Sequence, residues 1–343
     1  MRYISIDSAQ PGMIVGKSIY NEQGSILVNY RVKLTERLIL MRPLFSGREN
    51  CGLYIEDEMS SDITVEDLIS DELGVKATKA LTKLDIDAAL KVASDITEEL
   101  SLNGDINVNL ISMRTNSDYT YKHSVNVAVL SVLTGIGIGL KKSILKELSA
   151  AGLLYDIGKL NLPLDLLEKA GPLSEEEYET MKTHSELGYE RLKENINISS
   201  KTKMGVYMHH ENVNGSGYPL GLRDDQIYMF AKIIHIADVY DAITSERPYK
   251  KAQSPKEAIE FLMNNAGKMF QPEYVKAFIT YIPVYPKGRN VILSDGNVAV
   301  VVENRQYHTL YPVVRRLSDG ETIDLADQNE NLSDPLSILD FER

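Results

Sequence analysis

The chain has a single cysteine, Cys51, so no disulfide can form within it, which is compatible with a reducing compartment. Its first residues, MRYISIDSAQPG, lack the apolar core of a secretory signal. Nor is there a run of the roughly 20 apolar residues that a bilayer requires. The longest candidate, Asn126 to Leu140, is shorter and carries Ser131 and Thr134, so it reads as a buried helix. Positive charge is also in deficit. Lys and Arg number 37 against 49 Asp and Glu, and the net charge of −12 argues against binding a nucleic-acid polymer through a basic surface. An anionic substrate would need local basic residues set against that overall field. The expectation is a cytoplasmic protein without a membrane span.

What is present suits a folded enzyme or sensor of two or three domains. The length is 343 residues, 43% hydrophobic and 25% charged, enough for a sizeable core. No internal repeat is found. Residues 1–61 read as a small α/β accessory module. MIVGKSIYNEQGSILVN predicts two short strands about a turn, LTERLILMRPLF a helix capped by Thr35, and CGLYIED a closing strand. Residues 62–106 show Leu and Ile at three- and four-residue intervals with charges between, a helical linker. Residues 107–283 continue as helix after helix. Ser174 with Glu177 forms a capping-box pattern, and Ser254-Pro255 opens another helix. Residues 284–343 form a small β module, with NVILSDGNVAVVVEN predicting a hairpin about Asp-Gly. Its end, Leu317 to Arg343, carries eight acids against one Arg and is expected to be frayed. The fold class is mainly α, with small modules at each end.

Five of the six histidines fall in the helical region. His123 opens the apolar run SVNVAVLSVL; Asp156 ends AGLLYD; His184 lies in MKTHSELG; His209-His210 closes MGVYM; Asp238 sits in AKIIHIADVYDAI. Taken singly, His123 or His184 reads more readily as a hydrogen-bonded core residue than as a ligand, the adjacent pair His209-His210 reads equally either way, and His308 reads as a plain surface residue. Together, two acids and four histidines on separate apolar segments are harder to bury without a cation, because an unpaired buried carboxylate costs several kcal/mol. Imidazole and carboxylate donors suit Fe, Mn or Zn. The count serves two ions if one carboxylate bridges them, an arrangement suited to attack on phosphorus.

In this order, YTYKHSVNVAVLS, AGLLYDIGKLNLP, MKTHSELG, HHENVNGSGYPLGL and IADVYDAITSERPYKKA resemble the HD-GYP family of metal-dependent phosphodiesterases over roughly residues 115–270. The resemblance implies a helical HD-domain core and hydrolysis of cyclic di-GMP to the linear dinucleotide or GMP by metal-activated water. It implies metal ligands His123, Asp156, His184, His209, His210 and Asp238, with Asp156 bridging two divalent ions, Fe or Mn. It assigns Asp156 and Lys159 to catalysis. Lys159, Gly217, Tyr218, Pro219, Arg247 and Lys250 are assigned to the substrate. Three positions depart from the family pattern. Tyr155 stands where the family has the histidine of its His-Asp dyad, Asn214 replaces a usual Asp, and Tyr119 occupies the place of an acid in three-metal members. A neutral phenol is a poor ligand for a divalent ion, so one bound ion instead of two is an open alternative. His235, three residues before Asp238, is either a substitute ligand or a core histidine. The alternative function is a degenerate, non-hydrolysing domain that binds cyclic di-GMP or a signalling partner protein. A homodimer is left open.

Overall fold

A computed structural model describes residues 1–5, 8–20, 26–40, 52–56, 63, 69–102, 119–167, 169, 171–245, 252–305, 308–327 and 336–342. The chain divides into two compact units. The described residues of the first lie within Met1–Val75 and Pro283–Arg343, and those of the second within Lys76–Gly104 and Tyr119–Ile282.

The first unit is built of short strands. β1 (Arg2–Ser5), β5 (Gly52–Glu56) and β2 (Ile14–Val15) form an antiparallel sheet in the order β1-β5-β2, and β3 (Ile19–Tyr20) pairs with β4 (Ile26–Val28). The predicted Thr35 cap is present: the Leu38 amide donates to Thr35 Oγ1 at 3.2 Å as α1 (Glu36–Leu40) begins. A second sheet runs β10-β6-β7-β8-β9, from β6 (Asn290–Leu293), β7 (Val298–Glu303), β8 (Val313–Arg316), β9 (Thr322–Asp324) and β10 (Ile338–Phe341). The β6–β7 hairpin turns where Asp295-Gly296 was read as its turn, with Gly296 at φ +82°.

The two ends of the chain, read from sequence as separate modules, share this unit. The Tyr3 amide donates to the Gly288 carbonyl at 2.8 Å, and Tyr54, Ile63 and Val300 form one buried cluster. The frayed end is a correction. β9 and β10 lie in the tail, with Ile323, Leu325 and Ile338 buried and β10 paired antiparallel to β6. The acid count over the window hid these apolar positions, which are what a strand needs. Cys51 and residues 328–335 lie outside the described residues.

The second unit is helical: α2 (Asp71–Thr82, at its entry), α3 (Ile86–Leu102), α4 (Tyr119–Gly137), α5 (Lys142–Leu154), α6 (Leu164–Leu167), α7 (Glu175–Lys182), α8 (His184–Leu192), α9 (Ser200–Met208), α10 (Met229–Thr244), α11 (Pro255–Asn264) and α12 (Pro272–Tyr281). No helix among the described residues is long and apolar enough to cross a membrane. α4 and α10 are apolar nearly all round and therefore sit at the centre. Val125 to Leu133 of α4 are buried except Asn126, as are Phe230, Ile233, Ile234 and Ile236 of α10. α3, read as a linker, packs on α5 and belongs to the helical unit, and Glu98 pairs with Lys142 and Lys146 between them. The capping boxes at Ser174 and Ser254 form as read, the latter with Pro255 in the first turn. Each such cap satisfies amide donors that the first helical turn leaves unpaired.

Candidate metal centre

Short stretches of sequence place the polar residues at the ends of buried helices. α5 ends at Leu154, and a 3-10 turn, Ile157–Asn161, follows Tyr155 and Asp156. That turn lies directly on the start of α8. A Cβ on Gly158 would come within 1.9 Å of the His184 carbonyl oxygen and 2.5 Å of the Gly188 amide nitrogen. Only glycine permits this approach, and it brings Asp156 to His184. His209 and His210 follow the last turn of α9. Gly217 makes a second such approach: its Cβ would meet the Asn212 nitrogen at 2.3 Å and the His210 carbonyl oxygen at 2.4 Å. The loop therefore folds back so that the Tyr218 ring stacks on His210, with centroids 4.6 Å apart.

At the heart of the site, His184 Nδ1 and His209 Nδ1 each lie 2.7 Å from a backbone carbonyl oxygen, those of Met181 and Val206. A carbonyl can only accept, so each Nδ1 carries the ring hydrogen and each Nε2 presents a lone pair. The two Nε2 atoms are 3.1 Å apart. His210 completes a trio whose ligand atoms all lie within 4.8 Å of one another. Asp156 Oδ1 is 3.4 Å from His184 Nε2 and 4.0 Å from His209 Nε2, buried and without a hydrogen-bond partner. Facing lone pairs beside an orphaned carboxylate oxygen repel one another unless a cation lies among them. The donors fit a divalent ion of the Fe, Mn or Zn type. Burial pushes all three imidazoles below their ordinary values, His209 to about 3, so they stay neutral and able to ligate.

Asp156 uses its other oxygen, Oδ2, for a 2.6 Å ion pair with Lys159. Burial, the largest influence, would raise this carboxyl, but Lys159 and, after it, His184 and His209 together outweigh it and hold the group below its usual value. His123 and Asp238 gather about Tyr155, whose ring centroid lies 6.0 Å from that of His123 and 4.9 Å from that of His209. His123 Nε2 is 2.8 Å from Asp238 Oδ1, and its Nδ1 is 2.6 Å from Asp241 Oδ2. Burial would lower the His123 imidazole, yet the hydrogen bonds to Asp238 and Asp241 push it up to about 9. The Tyr155 hydroxyl, fully buried, donates to Asp238 Oδ1 at 3.1 Å. Asn126 Nδ2 donates to Asp241 Oδ1 at 2.7 Å.

The structure thus brings His184, His209, His210, Asp156 and Lys159 together, with His123, Asp238 and Tyr155 in an adjoining group. His235 stands apart as a core residue. Its Nδ1 lies 3.1 Å from the Glu211 carbonyl oxygen and its ring meets Phe270 edge-on at 4.9 Å. Arg247 and Lys250 lie outside the described residues, as does the Tyr119 side chain. Sequence reasoning missed Asp241, Asn126 and Glu211. The first two sit three residues after Asp238 and His123, and a polar residue at that helical spacing on an apolar helix was the signal available. Glu211, 1% exposed, accepts the amides of Leu220, Gly221 and Leu222 at 2.6, 3.1 and 2.9 Å, and so clamps the loop carrying Tyr218 and Pro219.

Residues 106–274 match the HD-domain family. The chain is 35% identical over 227 residues to the cyclic di-GMP phosphodiesterase PA4108 of Pseudomonas aeruginosa, covering 65% of this chain and 55% of that protein. Residues 106–274 therefore belong to the HD-domain family, and their motif stretches resemble the HD-GYP pattern. Among other relatives, the 3′3′-cGAMP-specific phosphodiesterase 3 of Vibrio cholerae is 32% identical over 170 residues, half of this chain and 37% of that one. In fold, the chain resembles Bd1817, described as an HDG"Y"P protein of Bdellovibrio bacteriovorus, with a TM-score of 0.53 and 17% identity over 80% of this chain and 97% of that one. The chain spans little more than half the length of the Pseudomonas protein.

Proposed function

We propose that this chain is a metal-dependent phosphodiesterase that hydrolyses cyclic di-GMP in second-messenger signalling. The observation that carries the reading is the His184–His209–His210 trio facing the unpartnered Asp156 Oδ1, with Lys159 at its edge. The named activities of its relatives support the substrate class. His184, His209, His210 and Asp156 would hold a divalent ion, which would supply Lewis-acid charge and a lowered pKa for water. The chain's own residues orient that chemistry. Carbonyl partners fix the tautomers of His184 and His209, an outer-shell role that also raises ligand basicity. Lys159, with part of its side chain exposed, presents an ammonium group for a phosphate oxygen. Gly217, Tyr218 and Pro219 form the wall over His210, and Glu211 keeps that wall in place. By resemblance, Arg247 and Lys250 supply positive charge for the second phosphate, and the chain acts in the cytoplasm. In the net reaction water adds to phosphorus and the ester oxygen leaves as a hydroxyl.

A second reading is favoured by one observation, the Tyr155 hydroxyl bonded to Asp238. In this reading the domain binds cyclic di-GMP or a partner protein without turnover. The test is anaerobic turnover by the purified protein loaded with Mn(II) or Fe(II), beside Asp156→Ala, with 3′3′-cGAMP included as a competing substrate. Hydrolysis of cyclic di-GMP that falls about 100-fold or more in Asp156→Ala supports the enzyme. Metal-independent binding without product supports the sensor, and preferential cleavage of 3′3′-cGAMP reassigns the substrate.

A further inference from the structure

The two halves of the site differ in what already satisfies their polar atoms. In the His184 half, two imidazole lone pairs face each other at 3.1 Å, and a carboxylate oxygen beside them has no hydrogen-bond donor. In the His123 half the Tyr155 hydroxyl points a hydrogen at a carboxylate, whichever tautomer His123 adopts. His123 Nδ1 meets Asp241 Oδ2 and His123 Nε2 meets Asp238 Oδ1. Asn126 and Ser245 add donors to Asp241, at 2.7 and 3.2 Å. Asp238 Oδ1 also receives the Tyr155 hydroxyl. A carboxylate oxygen offers about two lone-pair sites, and the hydroxyl takes one of them on this atom. An imidazole at position 155 would present a nitrogen lone pair; the phenol presents a hydrogen. A hydrogen pointed at a carboxylate oxygen opposes a cation at that place, whereas lone pairs that face one another favour one.

We propose that this chain holds one metal ion, at His184, His209, His210 and Asp156, and that Tyr155 closes the place of a second ion by donating its hydroxyl hydrogen to Asp238. The hydrogen-bonded set Tyr155–Asp238–His123–Asp241 does the structural work that a second ion would do, tying α4, α10 and the end of α5 together. The inference rests on the metal site in the proposed function and is independent of turnover.

Metal content tests it directly. Metal-free protein, prepared with a chelator, is titrated anaerobically with Mn(II) and desalted. Bound Mn is measured by plasma mass spectrometry, and its electron paramagnetic resonance spectrum is recorded. The native chain is expected to hold one Mn per chain, with the six-line signal of an isolated ion. Tyr155→His is expected to double the content to two and replace that signal with one broadened by spin coupling. Two ions in the native chain, or none, overturn the proposal. A Tyr155→His variant that folds yet still holds one ion overturns the role given to Tyr155. Two ions with hydrolysis of cyclic di-GMP would leave the phosphodiesterase reading standing and remove this one. One ion without hydrolysis would do the reverse.

Discussion

Two glycines, Gly158 and Gly217, shape the site at the level of single residues. Gly158 lies against the His184 carbonyl and the Gly188 amide, both backbone atoms that cannot swing aside. A methyl group there must push the 3-10 turn away from α8. Gly158→Ala is expected to cost about 3 kcal/mol or more, and to weaken Mn(II) binding because Asp156 is drawn away from His184. Urea denaturation and a metal titration check both effects. An unchanged metal affinity would mean that Asp156 is placed by something other than this turn. Lys159 belongs to the same scale. Its 2.6 Å pair with Asp156 shows that the lysine assigned to the substrate also sets the charge of the carboxylate beside the histidines.

One buried carboxylate holds the loop between α9 and α10. Glu211 accepts three successive amides, from Leu220 to Leu222. Hydrogen bonds to a charged acceptor are the stronger kind. Glu211→Gln keeps the size but replaces one acceptor oxygen with a donor that faces an N–H. It is expected to lose about 1–3 kcal/mol and to expose the 212–222 loop to limited proteolysis at lower protease concentration than the native chain. Loss of stability without new cleavage would place the effect in the core and not in the loop. The caps are a milder case: Ser254→Ala at the start of α11 should cost about 1 kcal/mol in thermal or urea unfolding, with metal content unchanged.

At the scale of the whole molecule, buried histidines set the response to pH. The folded-state values of His184, His209 and His210 are lowered, first by burial, with His209 at about 3. In the unfolded chain these groups take up protons near about 6.5. Below that pH the unfolded state binds more protons, so stability of the metal-free protein falls as the pH drops from about 6.5 toward 3. His123 acts in the opposite direction. Its value is raised to about 9, so its contribution is complete below about 6.5 and is lost as pH rises through 9. The melting temperature of metal-free protein should therefore peak near neutral pH, with the acid limb steeper because four histidines, the trio and the likewise lowered His235, act there against one. A steeper alkaline limb would contradict the burial of the trio. Saturating Mn(II) should raise the melting temperature at neutral pH, because a ligand of the folded state alone stabilises it by mass action, and the gain should vanish in the acid limb where imidazoles must shed protons to bind.

Much of this architecture is written in local sequence. The caps at Thr35, Ser174 and Ser254, the hairpin at Asp295-Gly296 and the all-apolar helices α4 and α10 follow from signals that span a few residues, and each formed as read. The ordered set of histidines and acids was legible too, because ionisable groups on buried segments demand a partner. What the sequence left open depended on contacts between distant residues. His123 meets Asp241 across 118 positions and Tyr155 meets Asp238 across 83, and no local pattern announces either bond. The joining of the chain's two ends in one unit, the strand pairing of an acidic tail and the core place of His235 are of the same kind. The sequence by itself determined which elements form and which ionisable side chains, set on apolar segments, need a partner, since propensity and burial act within a turn or two of chain. Only the tertiary structure decided which of those side chains face one another with lone pairs and which are already satisfied by hydrogen bonds, since that balance depends on ångström-scale distances between separate helices.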